Sequence, residues 1–294
     1  MEREIREFIS YLHNAKRTSY NTEVSYQRDL KKMAAFLEEK GIREFGLVKG
    51  EDLSDYLRYM ENEHFASSTI SRNVASIRAF FQYLVKGGKL ENDPSDDLKS
   101  PKVEKKMPEI LSIAEVERLL TQPDIRTEKG QRDSAMLEVL YATGMRVSEL
   151  THLRVSDVNL RLSYIVCHDD SKERVIPLGS VCRDALYRYI RDARPTFVKN
   201  SEETVLFTNY SGKPMSRQGF WKVLKGYADE AGIRKDITPH TLRHSFAVHM
   251  LQNGADVRSV QELLGHSDIS TTQVYLNMNM QKIREVYMKT HPRV

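Results

Sequence analysis

The residues best suited to chemistry in this sequence are a few arginines and histidines in its second half and one late tyrosine. Arg146 follows Gly144 and stands where a new helix begins, and a guanidinium at a helix start can bind a phosphate through two hydrogen bonds. His240 and Arg243 are three residues apart, so on a helix they share one face. Taken singly, each of these residues is more often structural or simply exposed.

A histidine and a tyrosine near the end of the sequence complete the set. His266 directly follows Gly265, where a helix is predicted to end, and Tyr275 lies about one turn into the next predicted helix. A tyrosine acts as a covalent nucleophile only where neighbouring groups stabilise charge at the reacting centre. His240 and His244 are also spaced like a metal pair, but no HExxH motif or suitably spaced further ligand accompanies them. We therefore predict no metal and no cofactor.

The order and approximate spacing of these residues resemble the signature of the tyrosine recombinases, over the whole chain. Four motifs carry the resemblance, namely TGMRVSEL, HTLRH, LLGH and a later tyrosine, which hold Arg146, His240, Arg243, His266 and Tyr275. The length, the KERVIPLG segment and the ending IREVYMKTHPRV are most similar to the Xer subgroup. Each motif alone is a weak signal, whereas the combination is highly specific.

The resemblance implies a mechanism of DNA strand transfer. Arg146 and Arg243 would clamp the scissile phosphate, and Tyr275 would attack it to leave a 3′-phosphotyrosine and a free 5′-hydroxyl. His240 and His266 would hydrogen-bond the phosphate or help to move the tyrosine proton. Two arginines supply the charge stabilisation that phosphoryl transfer needs, so the resemblance implies no catalytic metal.

One position departs from the pattern of the family. Members commonly carry a lysine in a β-hairpin turn, where it protonates the leaving 5′-oxygen, and alignment on KERVIP places Asp169 there. A carboxylate is usually ionised at neutral pH and would repel DNA. Lys172, three residues later in the same turn, is the best candidate to replace that lysine. An ordinary exposed hairpin lysine is the equally open alternative.

Apolar periodicity and turn residues predict the elements that must position this site. About the first hundred residues predict four helices, the last of which starts near Ser68 and ends at Gly87. Ser112 and Glu115 form a capping box at the start of the second half. LSYIVCHDDSKERVIPL predicts two strands around a turn, and VLFTNYSGKPMS predicts a further strand and a turn. Other helices are predicted at about 132–143, from about 147, and at about 217–231, 239–252, 257–264, 271–277 and 281–289.

These elements predict a mainly α fold with a small antiparallel β-sheet, in two domains. Residues 1–90 are similar to the helical, SAM-like core-binding domain of the family. Residues 91–111 lack periodicity and predict an exposed linker, and residues 112–294 would form the catalytic domain. Arg72 and Arg78 lie off the apolar stripe of the fourth helix. They are candidate DNA-binding residues, with a solvated helix face as the alternative.

Composition narrows the class of protein. The 294 residues are 40% hydrophobic and 29% charged, and a net charge of +4 permits nucleic acid as a partner. No apolar run reaches the roughly 18 residues that span a bilayer, and the N-terminus lacks the apolar segment of a signal peptide. The two cysteines form no CxxC pair, which suits a reducing compartment. We therefore expect a cytoplasmic protein without a membrane partner.

The resemblance also implies partners and a biological role. The expected substrate is double-stranded DNA at a recombination site, bound by a homo- or hetero-tetramer on two sites. Chromosome dimer resolution, and with it chromosome partition at cell division, is the expected role, with a septal DNA translocase as a candidate partner. The predicted last helix, with Ile283, Val286 and Tyr287 on one face, would dock on a neighbouring subunit or on its own domain. A phage or transposon integrase, a catalytically impaired DNA-binding homologue and a type IB topoisomerase are the alternatives.

Overall fold

The computed structural model describes residues 1–102, 108–168, 173–198 and 203–265. The chain divides into two compact units, Met1–Lys106 and Met107–Val294. Among the described helices, none combines the length and the apolar character that a bilayer span requires. The following predictions lie outside the described residues: Asp169, Lys172, His266, Tyr275, the helices at 271–277 and 281–289, and the apolar face of Ile283, Val286 and Tyr287.

The first unit is a bundle of four helices, as its apolar periodicity predicts. They are α1 (Glu2–Asn14), α2 (Tyr20–Glu39), α3 (Gly50–Asn62) and α4 (Ser67–Lys86). Their apolar stripes meet in one core, where the rings of Phe8, Phe45, Phe80 and Phe81 make edge-on contacts at centroid distances of 4.7 to 6.0 Å. Leu98, which was predicted to lie in an exposed linker, is buried in this core. At this position the linker prediction was wrong, because a single leucine in a polar segment gives no periodic signal.

The second unit is built around one long, deeply buried helix. Its helices are α5 (Ile113–Leu120), α6 (Glu128–Thr143), α7 (Val147–His152), α8 (Ser180–Arg188), α9 (Arg194–Phe197), α10 (Arg217–Glu230), α11 (Pro239–Gln252) and α12 (Val257–Leu264), with a π-helical turn at Tyr189–Ala193. α6 is buried over most of its surface and packs against both α8 and α11. The capping box is confirmed, because Ser112 and Glu115 exchange hydrogen bonds at 2.7 and 3.2 Å at the start of α5.

A three-stranded antiparallel sheet lies between α7 and α8 in the chain. It consists of β1 (Val158–Asn159), β2 (Tyr164–His168) and β3 (Glu173–Pro177), in the order β1-β2-β3. The β2–β3 hairpin confirms the two predicted strands, and its register pairs Ile165 with Ile176 and Cys167 with Arg174. The mainly α fold with a small antiparallel sheet is therefore the one that the sequence predicts.

The strand predicted in VLFTNYSGKPMS does not form as a regular strand. This segment makes only isolated bridges, Arg154 with Val205 and Thr208 with Pro214. The side chain of Asn209 accepts hydrogen bonds from the backbone of Ser211 and Lys213 at 2.9 and 3.1 Å. These local bonds favour a turn over a strand ladder.

Candidate active site

The corner between α6 and α7 presents Arg146. Gly144 ends α6 in the left-handed conformation with φ of 59°, and a Cβ at this position would lie 2.4 Å from the ring of Phe246. The turn and the close approach therefore both require glycine. α7 begins immediately afterwards, and the backbone N–H of Arg146 donates to Glu149 at 2.6 Å. This short connection leaves the Arg146 side chain 36% exposed at the surface of the corner.

The start of α11 carries His240 and Arg243. Thr238 caps this helix through its side chain, and Pro239 occupies the first helical position. Arg243 is only 5% exposed and donates to the carbonyl of Gly144 at 2.5 Å and to that of Leu264 at 2.8 Å. Arg243 thus ties the α6–α7 corner to the end of α12.

Three consecutive carbonyl groups at the end of α12 each accept a hydrogen bond from a different arginine. The pairs are Arg174 Nε to Leu263 at 2.9 Å, Arg243 Nη2 to Leu264 at 2.8 Å and Arg146 Nη2 to Gly265 at 3.1 Å. A helix C-terminus carries the negative end of the helix dipole and unsatisfied carbonyl groups, so guanidinium groups are favourable there. Arg146 and Arg243 therefore converge on the turn that directly precedes His266 in the sequence.

A buried carboxylate, Glu149, holds two of these arginines. Its Oε1 accepts from Arg146 and from Arg174 at 3.0 Å each, and its Oε2 accepts from Arg174 at 2.8 Å. Burial by itself raises the pKa of Glu149, but the hydrogen bonds from Arg174 and from the backbone of Arg146 outweigh burial and leave the pKa below its ordinary value. The ionised carboxylate thus orients both guanidinium groups.

The two histidines of HTLRH stand in a positive environment. Partial burial, and then the charges of Arg243 and Arg146, lower the pKa of His240. One turn along α11, burial and then His240 and Arg243 lower the pKa of His244 to about 4. Both imidazoles are therefore neutral at pH 7, where one ring nitrogen donates and the other accepts a hydrogen bond. Within the described ranges, no group of three or more His, Cys, Asp or Glu side chains is arranged to hold a metal ion.

Comparison with known proteins identifies the family to which this chain belongs. Residues 109–282 match the phage integrase family, and residues 5–88 match its N-terminal SAM-like domain. The chain belongs to the phage integrase family, the tyrosine recombinases. Its relatives include tyrosine recombinase XerD of Listeria monocytogenes, 42% identical over 98% of both chains. XerD of Oceanobacillus iheyensis is 44% identical over 100% of this chain and 99% of the relative.

A solved structure supports the fold of this tyrosine recombinase. The XerH site-specific recombinase bound to a palindromic difH substrate superposes with a TM-score of 0.77 over 97% of this chain and 84% of the XerH chain. Only 20% of the residues are identical, so this similarity concerns the fold. The predicted family and the two-part helical architecture are therefore confirmed together.

This recombinase brings three of its predicted site residues together. Arg146 and Arg243 share the end of α12, and their charges both act on His240. Lys172, His266 and Tyr275 lie outside the described residues, so their roles stay predictions from the family resemblance.

The two candidate DNA-binding arginines of the first unit have partners within that unit. Arg72 donates through Nε and Nη2 to the buried carboxylate of Asp29 at 2.8 and 2.9 Å, and this ion pair raises the pKa of Arg72. Arg78 donates to the carbonyl of Leu98. Both side chains therefore have a structural role, and contact with DNA remains a prediction.

Sequence reasoning missed two residues of the site, Glu149 and Arg174. Glu149 stands three residues after Arg146, which is the spacing of a capping pair at a helix start. Arg174 stands at a core-facing position of β3, where strand alternation calls for an apolar residue. These two local irregularities were the available signals.

Proposed function

We propose that this chain is a site-specific recombinase that cuts and rejoins double-stranded DNA through a 3′-phosphotyrosine intermediate. The convergence of Arg146 and Arg243 on the last turn of α12, directly before His266, carries this proposal. Two guanidinium groups at one point are suited to the non-bridging oxygens of a phosphodiester. The membership of the chain in the tyrosine recombinases supports the assignment of Tyr275 as the nucleophile.

The reaction follows from these roles. The phenolic oxygen of Tyr275 attacks the phosphorus, and the bond from phosphorus to the 5′-oxygen breaks. The tyrosine proton passes to a histidine, for which the neutral His240 is suited at pH 7, while Lys172 protonates the leaving 5′-oxygen. Arg146 and Arg243 stabilise the charge on the phosphate during the step. Attack by a 5′-hydroxyl of the partner strand reverses the sequence and releases the tyrosine.

The biological role we assign is that of an Xer-type recombinase acting on chromosome dimers in the cytoplasm. Identities of 42 to 44% with XerD proteins over nearly the whole chain support this role. The active assembly is a tetramer on two DNA sites, composed of one or of two kinds of recombinase, and a septal DNA translocase is a candidate activator. The predicted last helix, beyond the described residues, is the segment we assign to subunit docking.

Replacing the nucleophile tests the chemistry. Tyr275→Phe should bind DNA normally and form no covalent adduct with a nicked suicide substrate, because only the attacking hydroxyl is lost. The matched control is Tyr210→Phe, which alters an exposed tyrosine of the same unit and should form the adduct at the rate of the unaltered protein. Denaturing electrophoresis of the trapped complex measures the adduct.

The outcomes separate the alternatives. An adduct that survives in Tyr275→Phe excludes Tyr275 as the nucleophile, and no adduct in the unaltered protein indicates a DNA-binding homologue without activity. Selection of bound DNA from a random pool supplies the recombination site. Relaxation of supercoiled DNA without exchange between two such sites indicates a topoisomerase, and selected sites at the ends of a mobile element indicate an integrase.

A further inference from the structure

Arg174 is a charged residue on the core-facing side of a strand. In β3 its neighbours Glu173 and Val175 are exposed, whereas Ile176 is buried, so Arg174 and Ile176 point inward. Across the hairpin Arg174 pairs with Cys167, which is 1% exposed, and the Arg174 side chain itself is only 13% exposed. A guanidinium in this position must be hydrogen-bonded and paired to offset its loss of hydration.

The guanidinium of Arg174 is bound to the protein through all three of its nitrogens. Nη1 and Nη2 donate to the two oxygens of Glu149 at 3.0 and 2.8 Å, and Nε donates to the carbonyl of Leu263 at 2.9 Å. The group also lies against the backbone of Gly265, where an added Cβ would come within 2.9 Å of Nη1. Such a two-pronged bond to a carboxylate needs the planar fork of arginine and is not reproduced by lysine.

Glu149 in turn fixes the orientation of Arg146 through two hydrogen bonds. The oxygen that accepts from Nη1 of Arg174 also accepts from Nη1 of Arg146 at 3.0 Å, and the other oxygen accepts the backbone N–H of Arg146 at 2.6 Å. The carboxylate can hold Arg146 in one orientation only if it is itself held. Arg174 provides two of the bonds that hold it.

Arg174 is also linked to Arg146 and Arg243 through the carbonyl groups at the end of α12. Arg174 binds the carbonyl of Leu263, while Arg243 and Arg146 bind the next two carbonyls along the chain. Three guanidinium groups from β3, α11 and the α6–α7 corner are therefore aligned on one turn. A shift of Arg174 would move both Glu149 and the turn on which the other two arginines rest.

We infer that Arg174 is a positioning residue of the phosphate clamp, which acts through Glu149 and the last turn of α12 to aim Arg146 and Arg243. Stability alone does not account for the arrangement, since a well-packed apolar pair usually stabilises a core at least as well as a buried ion pair. What an apolar pair cannot supply is the direction of the guanidinium groups. This inference rests on the proposed function, because a clamp needs a phosphate to hold.

A conservative variant with a matched control tests the inference. Arg174→Lys keeps the charge and removes the two-pronged bond. Arg194→Lys makes the same change at a guanidinium of the same unit that also binds backbone carbonyls, those of Leu206, Glu203 and Val205. Single-turnover adduct formation is measured at saturating DNA and well below the melting temperature of both variants. DNA affinity is measured over a range of salt concentrations.

We expect Arg174→Lys to form the adduct about a hundredfold more slowly than Arg194→Lys, since a displacement of about 1 Å in a reacting group has that cost. DNA affinity and its salt dependence should match the control, because Arg174 binds the protein and not a phosphate. DNA affinity below that of the control would instead make Arg174 a direct phosphate ligand, because lysine keeps the charge but loses the two-pronged bond, and would overturn the inference. Equal rates in the two variants would also overturn it.

Glu149→Gln disrupts the same pair of hydrogen bonds by changing the carboxylate that accepts them from Arg174. If Arg174 acts through Glu149, the double variant should be no slower than the slower single variant. Rate losses that multiply would show independent actions and contradict the inference. A failure of the proposed function is distinct from these results, because the unaltered protein and Arg194→Lys would then form no adduct either.

Discussion

The second unit contains two charged clusters in which arginine has different partners and a different exposure to solvent. Arg132 on α6 is 2% exposed and binds its neighbour Asp133, which is fully buried, at 2.8 and 2.9 Å. Its guanidinium also donates to the carbonyl of Thr208 at 3.2 Å and lies about 5 Å from the ring centres of Phe197 and Tyr210. One carboxylate and two rings thus enclose one charge in the core.

The cluster around Glu149 distributes its charges differently. Arg146 and Arg174 share this carboxylate, while Arg243 binds the carbonyls of Gly144 and Leu264. Arg243 is only 5% exposed as a residue, whereas the side chain of Arg146 is 36% exposed, so the cluster opens towards the surface. Burial lowers the pKa of His240 most, and the positive charges of Arg243 and Arg146 lower it further.

This difference distinguishes an arginine that stabilises the folded core from arginines that are placed to bind an anion. An enclosed ion pair such as Arg132–Asp133 costs much to break, because the remaining charge is buried without its partner. Guanidinium groups aimed by carbonyls towards the surface keep a favourable site for an anion. Substitutions in the first cluster should therefore affect stability, and substitutions in the second should affect cleavage.

The largest effect on stability is expected from Arg132→Met. Removal of the guanidinium leaves Asp133 buried, with Tyr227 and Lys129 as its further partners among the described residues, and should lower the free energy of unfolding by about 3–5 kcal/mol. Chemical denaturation measures this change. Arg183→Met is the control, since Arg183 also binds the next residue, Asp184, but on the exposed surface of α8, and little change is expected there. Slow adduct formation by folded Arg132→Met would contradict the division between the clusters.

Arg243→Lys should slow DNA cleavage, in contrast to Arg132→Met, which should lower stability. A lysine retains one charge but cannot reach both carbonyls and a phosphate oxygen in the fixed geometry of a guanidinium. Loss of one aligned donor should slow adduct formation about a hundred- to a thousandfold, or about 2.7–4 kcal/mol of transition-state stabilisation. Single-turnover assays at saturating DNA measure this loss, and DNA affinity should change little. A rate within about tenfold of the unaltered protein would remove Arg243 from the clamp.

The smallest effect expected is a pH dependence of stability that His244 introduces. The pKa of His244 is about 4 in the folded protein and 6.5 in the reference state, so the unfolded chain binds a proton first as the pH falls. This histidine therefore costs no stability above pH 6.5 and lowers stability progressively between pH 6.5 and about 4, by about 1–3 kcal/mol in total.

His244→Gln should flatten the stability profile in that pH range, as measured by denaturation at several pH values. The control is His152→Gln, which alters an exposed histidine at the end of α7. An unchanged slope in His244→Gln would mean that burial and the neighbouring positive charges do not lower the pKa of His244 in the folded protein.

Sequence patterns predicted the elements of this protein well where the signal is local and periodic. The four helices of the first unit follow from apolar stripes, and the ends of α6 and α12 follow from Gly144 and Gly265, both of which adopt positive φ. The hairpin follows from two β-rich runs around a polar turn. The buried position of Leu98 depends on tertiary contacts that no local pattern records. The missing strand near Asn209 has a local cause, because the Asn209 side chain accepts backbone hydrogen bonds that favour a turn.

Sequence patterns also predict only part of the candidate site. The sequence by itself determined the family and predicted which residues would carry the chemistry, because the order and spacing of Arg146, His240 and Arg243 in their motifs are specific to the family. Only the tertiary structure decided how they are aimed. Glu149, Arg174 and the carbonyl groups at the end of α12 meet from segments far apart in the chain, and hydrogen-bond direction is set by that meeting. Backbone carbonyls are present at every residue, so no sequence pattern identifies the three that the arginines bind.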